Sequence, residues 1–155
     1  MDLLSRLSTN DLAPLSRGEA VTTVFLSPEG RILHRVLLIP DAGGSVLAVA
    51  EEGSAESLPA WIDRYTFAED IRIERDEGLV VLRVVLEDDA PAGTAPPPRP
   101  ALRVVPRRFG VAHGLVMVGA PAEVAEAAMT GAFGDELDER AAEQLRIACG
   151  EPAAG

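Results

Sequence analysis

Cys149, His34 and His113 are the residues whose chemistry extends furthest, since a thiolate and two imidazoles serve as nucleophile, general base or soft metal ligands. Neither histidine stands at helical or hairpin ligand spacing from the other or from Cys149, so no metal is expected. A Cys149–His113 thiolate pair is the one nucleophilic arrangement these residues offer. Cys149 follows an alanine at the end of an apolar helical pattern, where a small buried residue is the plainer reading. No serine sits in a Gly-x-Ser-x-Gly turn. The chain contains no lysine, which excludes a Walker-type phosphate loop, and no dinucleotide fingerprint opens a helix.

Carboxylates are abundant, with 25 acidic residues against 14 basic ones and a formal charge of -11. Glu69-Asp70 and Asp88-Asp89 flank expected strands, and Asp135-Glu136 and Asp138-Glu139 open an expected helix, where negative charge suits the macrodipole. The net field repels nucleic acid, and Arg99, Arg103, Arg107 and Arg108 form only a loose basic set beside a proline-rich stretch. A single cysteine makes no internal disulfide, which suits a reducing compartment. No apolar run reaches the roughly 18 residues of a membrane span. A cytoplasmic location is expected, with neither nucleic acid nor membrane as partner.

The 155 residues, 47% hydrophobic and 25% charged, suffice for one ordinary domain or two small lobes with a real core. The pattern predicts a short opening helix at 2–9 and a hairpin of strands 21–27 and 31–39 around Pro28-Glu29-Gly30. A further strand follows at 45–50, then a helix from Ser54 or Glu56 to about Tyr65, with Leu58, Trp61, Ile62 and Tyr65 on one face. Strands at 71–74 and 79–86 flank the Asp76-Glu77-Gly78 turn. Residues 88–100 read as a proline-rich loop. Strands at 102–106 and 114–118 and helices at 121–130 and 135–147 complete the chain, with His34 in a strand and His113 in a loop.

This order predicts an α+β fold: a ferredoxin-like lobe, with a mainly antiparallel sheet and helices on one face, plus part of a second α+β lobe. The boundaries fall at 1–88 for the helix and first lobe, 89–100 for the linker and 101–155 for the partial second lobe.

Leu7-Ser8-Thr9-Asn10-Asp11-Leu12, then Gly18, then Val21 to Ile32 through Ser27-Pro28-Glu29-Gly30-Arg31 resembles the glycine-cleavage T-protein superfamily. Trp61 to Ile73 resembles its YgfZ-type folate-binding branch. Leu145-Arg146-Ile147-Ala148-Cys149-Gly150-Glu151-Pro152 resembles the segment that in those proteins reads Leu-Arg-Ile-Glu-Ala-Gly-x-Pro. The blocks touch most of the chain and stand in the expected order.

The resemblance implies a tetrahydrofolate-binding scaffold, with aminomethyl transfer in one branch and maintenance of iron–sulfur enzymes in the other. The sequence departs from the pattern at the chemistry. His34 and Arg35 stand where paired aspartates are usual, and a guanidinium has no acceptor and stays cationic. Glu51-Glu52-Gly53 replaces an asparagine-rich segment, and Ala148 replaces a glutamate. The Lys-Gly-Cys-Tyr signature would lie beyond Gly155, and a first strand would precede the opening helix, so the resemblance is to the N-terminal part of a longer fold.

The residues thus assign no catalytic role and no cofactor-binding position by number. The expectation is a non-catalytic folate-binding protein linked to iron–sulfur maintenance or one-carbon metabolism. Its alternatives are an aminomethyltransferase with displaced acids, and an interaction module that works through a protein partner or as a homodimer.

Overall fold

The computed structural model describes residues 2–51, 54–86, 96, 99–131 and 133–151. The fold is α+β, with two antiparallel three-stranded sheets and, among the described residues, four α-helices. The chain divides into two compact units, Met1–Arg75 and Asp76–Pro152.

The first unit opens with α1 (Asp2–Leu7) and a single 3₁₀ turn at Ala13–Arg17. Strands β1 (Val21–Leu26), β2 (Ile32–Pro40) and β3 (Val46–Ala50) follow, and α2 (Ser54–Asp63) packs on their sheet, ordered β1-β2-β3. Gly30 closes the hairpin turn at a φ of 82°, a left-handed conformation that favours glycine. Phe25 pairs with His34, but Leu26 pairs with Ile32, so a bulge at Leu33 absorbs one residue of β2. Phe25, Val36 and Leu38 form one core with Leu58, Trp61 and Ile62 of α2 and Leu3 of α1. Leu37, Ile39 and Val49, on the opposite sheet face, are buried as well.

The outer edge of β1 is stitched shut. Asn10 Nδ2 donates to the Thr22 carbonyl at 2.7 Å, and Thr9 donates to the Val24 carbonyl through both its amide and its hydroxyl. Ser8 Oγ lies 2.6 Å from Thr23 Oγ1, which partners an otherwise buried hydroxyl. The Ser8-Thr9-Asn10 segment therefore satisfies backbone groups that an edge strand leaves open.

The second unit is built on β4 (Val80–Leu86), β5 (Arg103–Phe109) and β6 (Ala112–Gly119), in the order β4-β6-β5. Helix α3 (Pro121–Thr130) covers one face, where Val124 and Ala127 meet Met117 and Leu102. Pro106 lies inside β5, which runs on to Phe109 because an edge strand needs no outward donor at that position. Helix α4 (Glu139–Ala148) starts at Asp138, whose carboxylate accepts from the Ala141 amide at 2.7 Å. Its end is a Schellman motif: Gly150, at φ 71°, donates to Ile147 O, and Glu151 donates to Arg146 O.

Several expectations are corrected. Residues 71–74 form no ladder, and β4 pairs with β6 instead of folding back on them. Helix α1 stops at Leu7, where Ser8 to Asn10 turn their hydrogen bonds to β1. The last helix starts at Glu139 and not at Asp135, because Asp138 is the residue that caps it. His113 lies in β6 and not in a loop. The proline-rich stretch falls mostly outside the described residues; of it, Arg99 bridges to Leu102.

Two substitutions test these contacts. Asn10→Ala removes the bond to Thr22 and is expected to cost about 1 kcal/mol in urea unfolding of the first unit. At Gly110, with φ 60°, an added Cβ would lie 1.7 Å from the Cys149 carbonyl oxygen. Gly110→Ala is expected to destabilise the second unit by about 3 kcal/mol or more in the same measurement. An unchanged midpoint would refute the contact.

Candidate functional site

Trp61 is the centre of an aromatic cluster in the first unit. Its ring stacks on Phe25 of β1 at 5.1 Å between centroids and 24° between planes. Tyr65, one turn further along the chain, lies 5.0 Å away at a tilt of 55°, and His34 of β2 meets the indole edge-on at 5.7 Å. The i, i+4 spacing of Trp61 and Tyr65 puts both rings on one side of α2 and its C-terminal turn. That turn is closed by Tyr65 N donating to Ile62 O at 2.9 Å.

Beside this cluster lies a groove of about 240 Å³, lined by Arg6, Leu7 and Thr9, by Leu26, Ser27 and Pro28, and by Trp61 and Tyr65. It is open, and smaller than the ~300–1,000 Å³ that usually encloses a drug-sized ligand. Its polar groups are the Ser27 and Thr9 hydroxyls, the Tyr65 phenol and the Arg6 guanidinium. Arg6 is ion-paired to Glu69. The amides of Ala68 and Phe67 donate to the Glu69 carboxylate at 3.1 and 3.0 Å, which lowers its pKa from 4.5 to about 2. An anion at the groove must therefore compete with a carboxylate that stays charged at any ordinary pH.

His34 is 5% exposed, and its Nδ1 has no hydrogen-bond partner. Burial lowers its pKa below the usual 6.5, because the imidazolium would lose its hydration among apolar rings. Arg35, the next residue, belongs to the opposite face of the sheet, since successive strand residues alternate. Its Nη1 lies 3.2 Å from Glu51 Oε1, in a pair whose side chains are 11% and 21% exposed. The two residues standing at the resembled family's acid positions thus do not share a site. One is a neutral core imidazole, and the other is tied to the first residue after β3.

The remaining candidates are dispersed. Cys149 is buried at the end of α4, and its carbonyl accepts from Val111 N at 2.9 Å. His113 is exposed on β6, so the structure does not bring the two together as a buried pair. Arg107 lies 3.1 Å from Glu151 and over the ring of Phe109, while Arg99 lies 2.7 Å from Glu126. Both guanidiniums are partnered by carboxylates, which dilutes the basic set. Among the described residues no group of three His, Cys, Asp or Glu side chains is placed to hold a metal ion, and no helix is long and apolar enough to cross a membrane. The Trp61–Tyr65 pairing is visible in the helical spacing, but the groove is not, because it needs the α1 and hairpin-turn residues brought alongside.

His34 also sets a pH dependence. Its folded pKa lies below its unfolded value, so its neutral form is accommodated fully above pH about 6.5 and stability falls as the pH drops through that value. Urea midpoints measured between pH 7.5 and 5 are expected to decline, and His34→Leu is expected to flatten the decline, keeping the site apolar. An equally steep decline in His34→Leu would contradict the assignment.

No protein-family model, curated protein or solved structure matches this chain.

Proposed function

We propose that this chain is a non-catalytic, folate-binding module of the YgfZ and T-protein type, linked to iron–sulfur maintenance or one-carbon metabolism, with the Trp61 groove as its ligand site. One observation carries the reading. The groove is lined by Leu7 and Thr9, by Leu26, Ser27 and Pro28, and by Trp61 and Tyr65. These come from the three separate segments of the first unit on which the resemblance rests. On this reading α1, the hairpin, β3, α2 and β4 belong to a ferredoxin-like lobe at 1–88, and the strands and helices of 101–155 to part of a second α+β lobe.

The non-catalytic reading is supported by how the groove's side chains are engaged. The Thr9 hydroxyl is engaged by the Val24 carbonyl, the Ser27 hydroxyl bonds the Glu29 carboxylate, which that bond keeps ionised, and the one cation is engaged by Glu69. An aminomethyltransferase needs a carboxylate near the reacting nitrogen, whereas Arg35 is bound to Glu51 and His34 is packed behind Trp61. The ligand chemistry that suits the groove is one flat heterocycle, with its polar edge toward Ser27 and Thr9 and its remainder in solvent.

So small a contact supports a dissociation constant on the order of 0.1 mM, about -5.5 kcal/mol. Trp61 is the sole tryptophan, so its emission reports this site without interference. Titration with tetrahydrofolate is expected to give saturable heat in calorimetry and a matching change in Trp61 fluorescence, both weakened about tenfold by Tyr65→Ala. No heat and unchanged emission at millimolar ligand would overturn the reading.

A further inference from the structure

The turn that follows α2 is built around one carboxylate. Glu69 accepts from the amides of Phe67 and Ala68 at 3.0 and 3.1 Å, and its own carbonyl accepts from Ile71 N at 3.1 Å. Side chain and backbone are thus both fixed, and the carboxylate is ion-paired with Arg6 of α1, 63 positions earlier in the chain. Those amide bonds favour the ionised form and hold its pKa at about 2, so protonation does not open the pair at any ordinary pH.

Arg6 is the one cation among the described residues that line the Trp61 groove. On the hairpin side Ser27, another lining residue, bonds the Glu29 carboxylate and keeps it ionised. The groove's rim therefore carries one positive and two negative charges. A site built for a carboxylate leaves its guanidinium open to bidentate pairing with the ligand. Here the guanidinium is already taken.

We propose that Glu69 sets the charge class of the ligand: it holds Arg6 from anion binding, so the groove takes an uncharged flat heterocycle and disfavours acidic groups. The inference rests on the Trp61 groove being a ligand site, and it adds which part of a folate binds there. The reduced pterin ring is uncharged near neutral pH, whereas the glutamate tail carries carboxylates and each further glutamate adds one. An arriving carboxylate must displace Glu69 from Arg6 and then sit beside Glu69 and Glu29. It does so on a chain whose charge is already -11. Because the Phe67 and Ala68 amides fix Glu69 in place, it does not swing away to make room. The Arg6 side chain is 52% exposed, so water screens these charges and the discrimination is a matter of a few-fold.

Calorimetry on the full chain with 6-methyltetrahydropterin, tetrahydrofolate and tetrahydrofolate triglutamate, at low and high salt, tests it. The tail-less pterin is expected to bind at least as tightly as tetrahydrofolate. The triglutamate is expected to bind about threefold more weakly at low salt, a gap that closes at high salt. Glu69→Gln keeps an acceptor for the two amides and removes the charge. It is expected to raise the affinity of the triglutamate relative to the pterin about threefold. Adding Arg6→Gln removes one charge of each sign from the rim and is expected to return that ratio to the wild-type value. Circular dichroism verifies that each variant is folded. A triglutamate that binds the wild type more tightly than the pterin, a ratio unmoved by Glu69→Gln, or a gain that survives the loss of Arg6 would each overturn the proposal. Absence of binding by all three ligands would instead overturn the ligand reading, and the proposal with it.

Discussion

The contact between Trp61 and Phe25 is what the first unit depends on. Helix α2 has ten residues, too few to persist in water without a surface to dock on. Its stability comes from burying Leu58, Trp61 and Ile62 against the hairpin. Trp61, the largest of the three, is wedged between rings from β1, from β2 and from its own C-terminal turn. A buried aromatic side chain of this kind contributes about 3–5 kcal/mol. Once the indole is fixed, Tyr65 is fixed one turn beyond it, and the groove walls follow. The unpartnered Nδ1 of His34 is a cost of the same packing, borne because the ring fills space beside the indole.

The segments on which the family resemblance rests prove architectural before they are chemical. Ser8-Thr9-Asn10 closes the edge of β1. Ser27 to Gly30 is a hairpin turn whose glycine has a left-handed φ. The block ending at Glu151 is a helix stop, held to the second unit's sheet by the Val111 amide on the Cys149 carbonyl and by Arg107 on Glu151. Such needs are met by particular residue types at particular spacings, with no ligand involved. Sequence likeness of this sort therefore speaks more directly to fold than to reaction. Chemistry must be argued from the groove's own side chains.

Much of this was legible in the chain, and the failures have physical causes. The hairpin was clear because β-branched runs flank a Pro-Glu-Gly turn, and α3 because proline opens it and glycine follows it. Residues 71–74 have the composition of a strand but no ladder, because pairing is a non-local event that local pattern does not fix. β5 outruns Pro106 since its edge position, invisible in sequence, tolerates a missing donor. His34 and Arg35 looked like a joint replacement of two acids, whereas strand alternation sends them to opposite faces. The groove was not legible at all, because its walls meet only when α1, the turn and α2 are brought together.

The central claim is that the meeting point of those three segments is a ligand site and the rest of the unit is its frame. The most direct measurement is a two-dimensional ¹⁵N–¹H spectrum of the labelled chain recorded while tetrahydrofolate is added. The account predicts shifts confined to the amides of Leu7, Thr9, Ser27 and Tyr65 and to the Trp61 indole N–H, with Arg35 and the second unit unmoved. Shifts centred on Arg35 and Glu51, or none at saturating ligand, would contradict it.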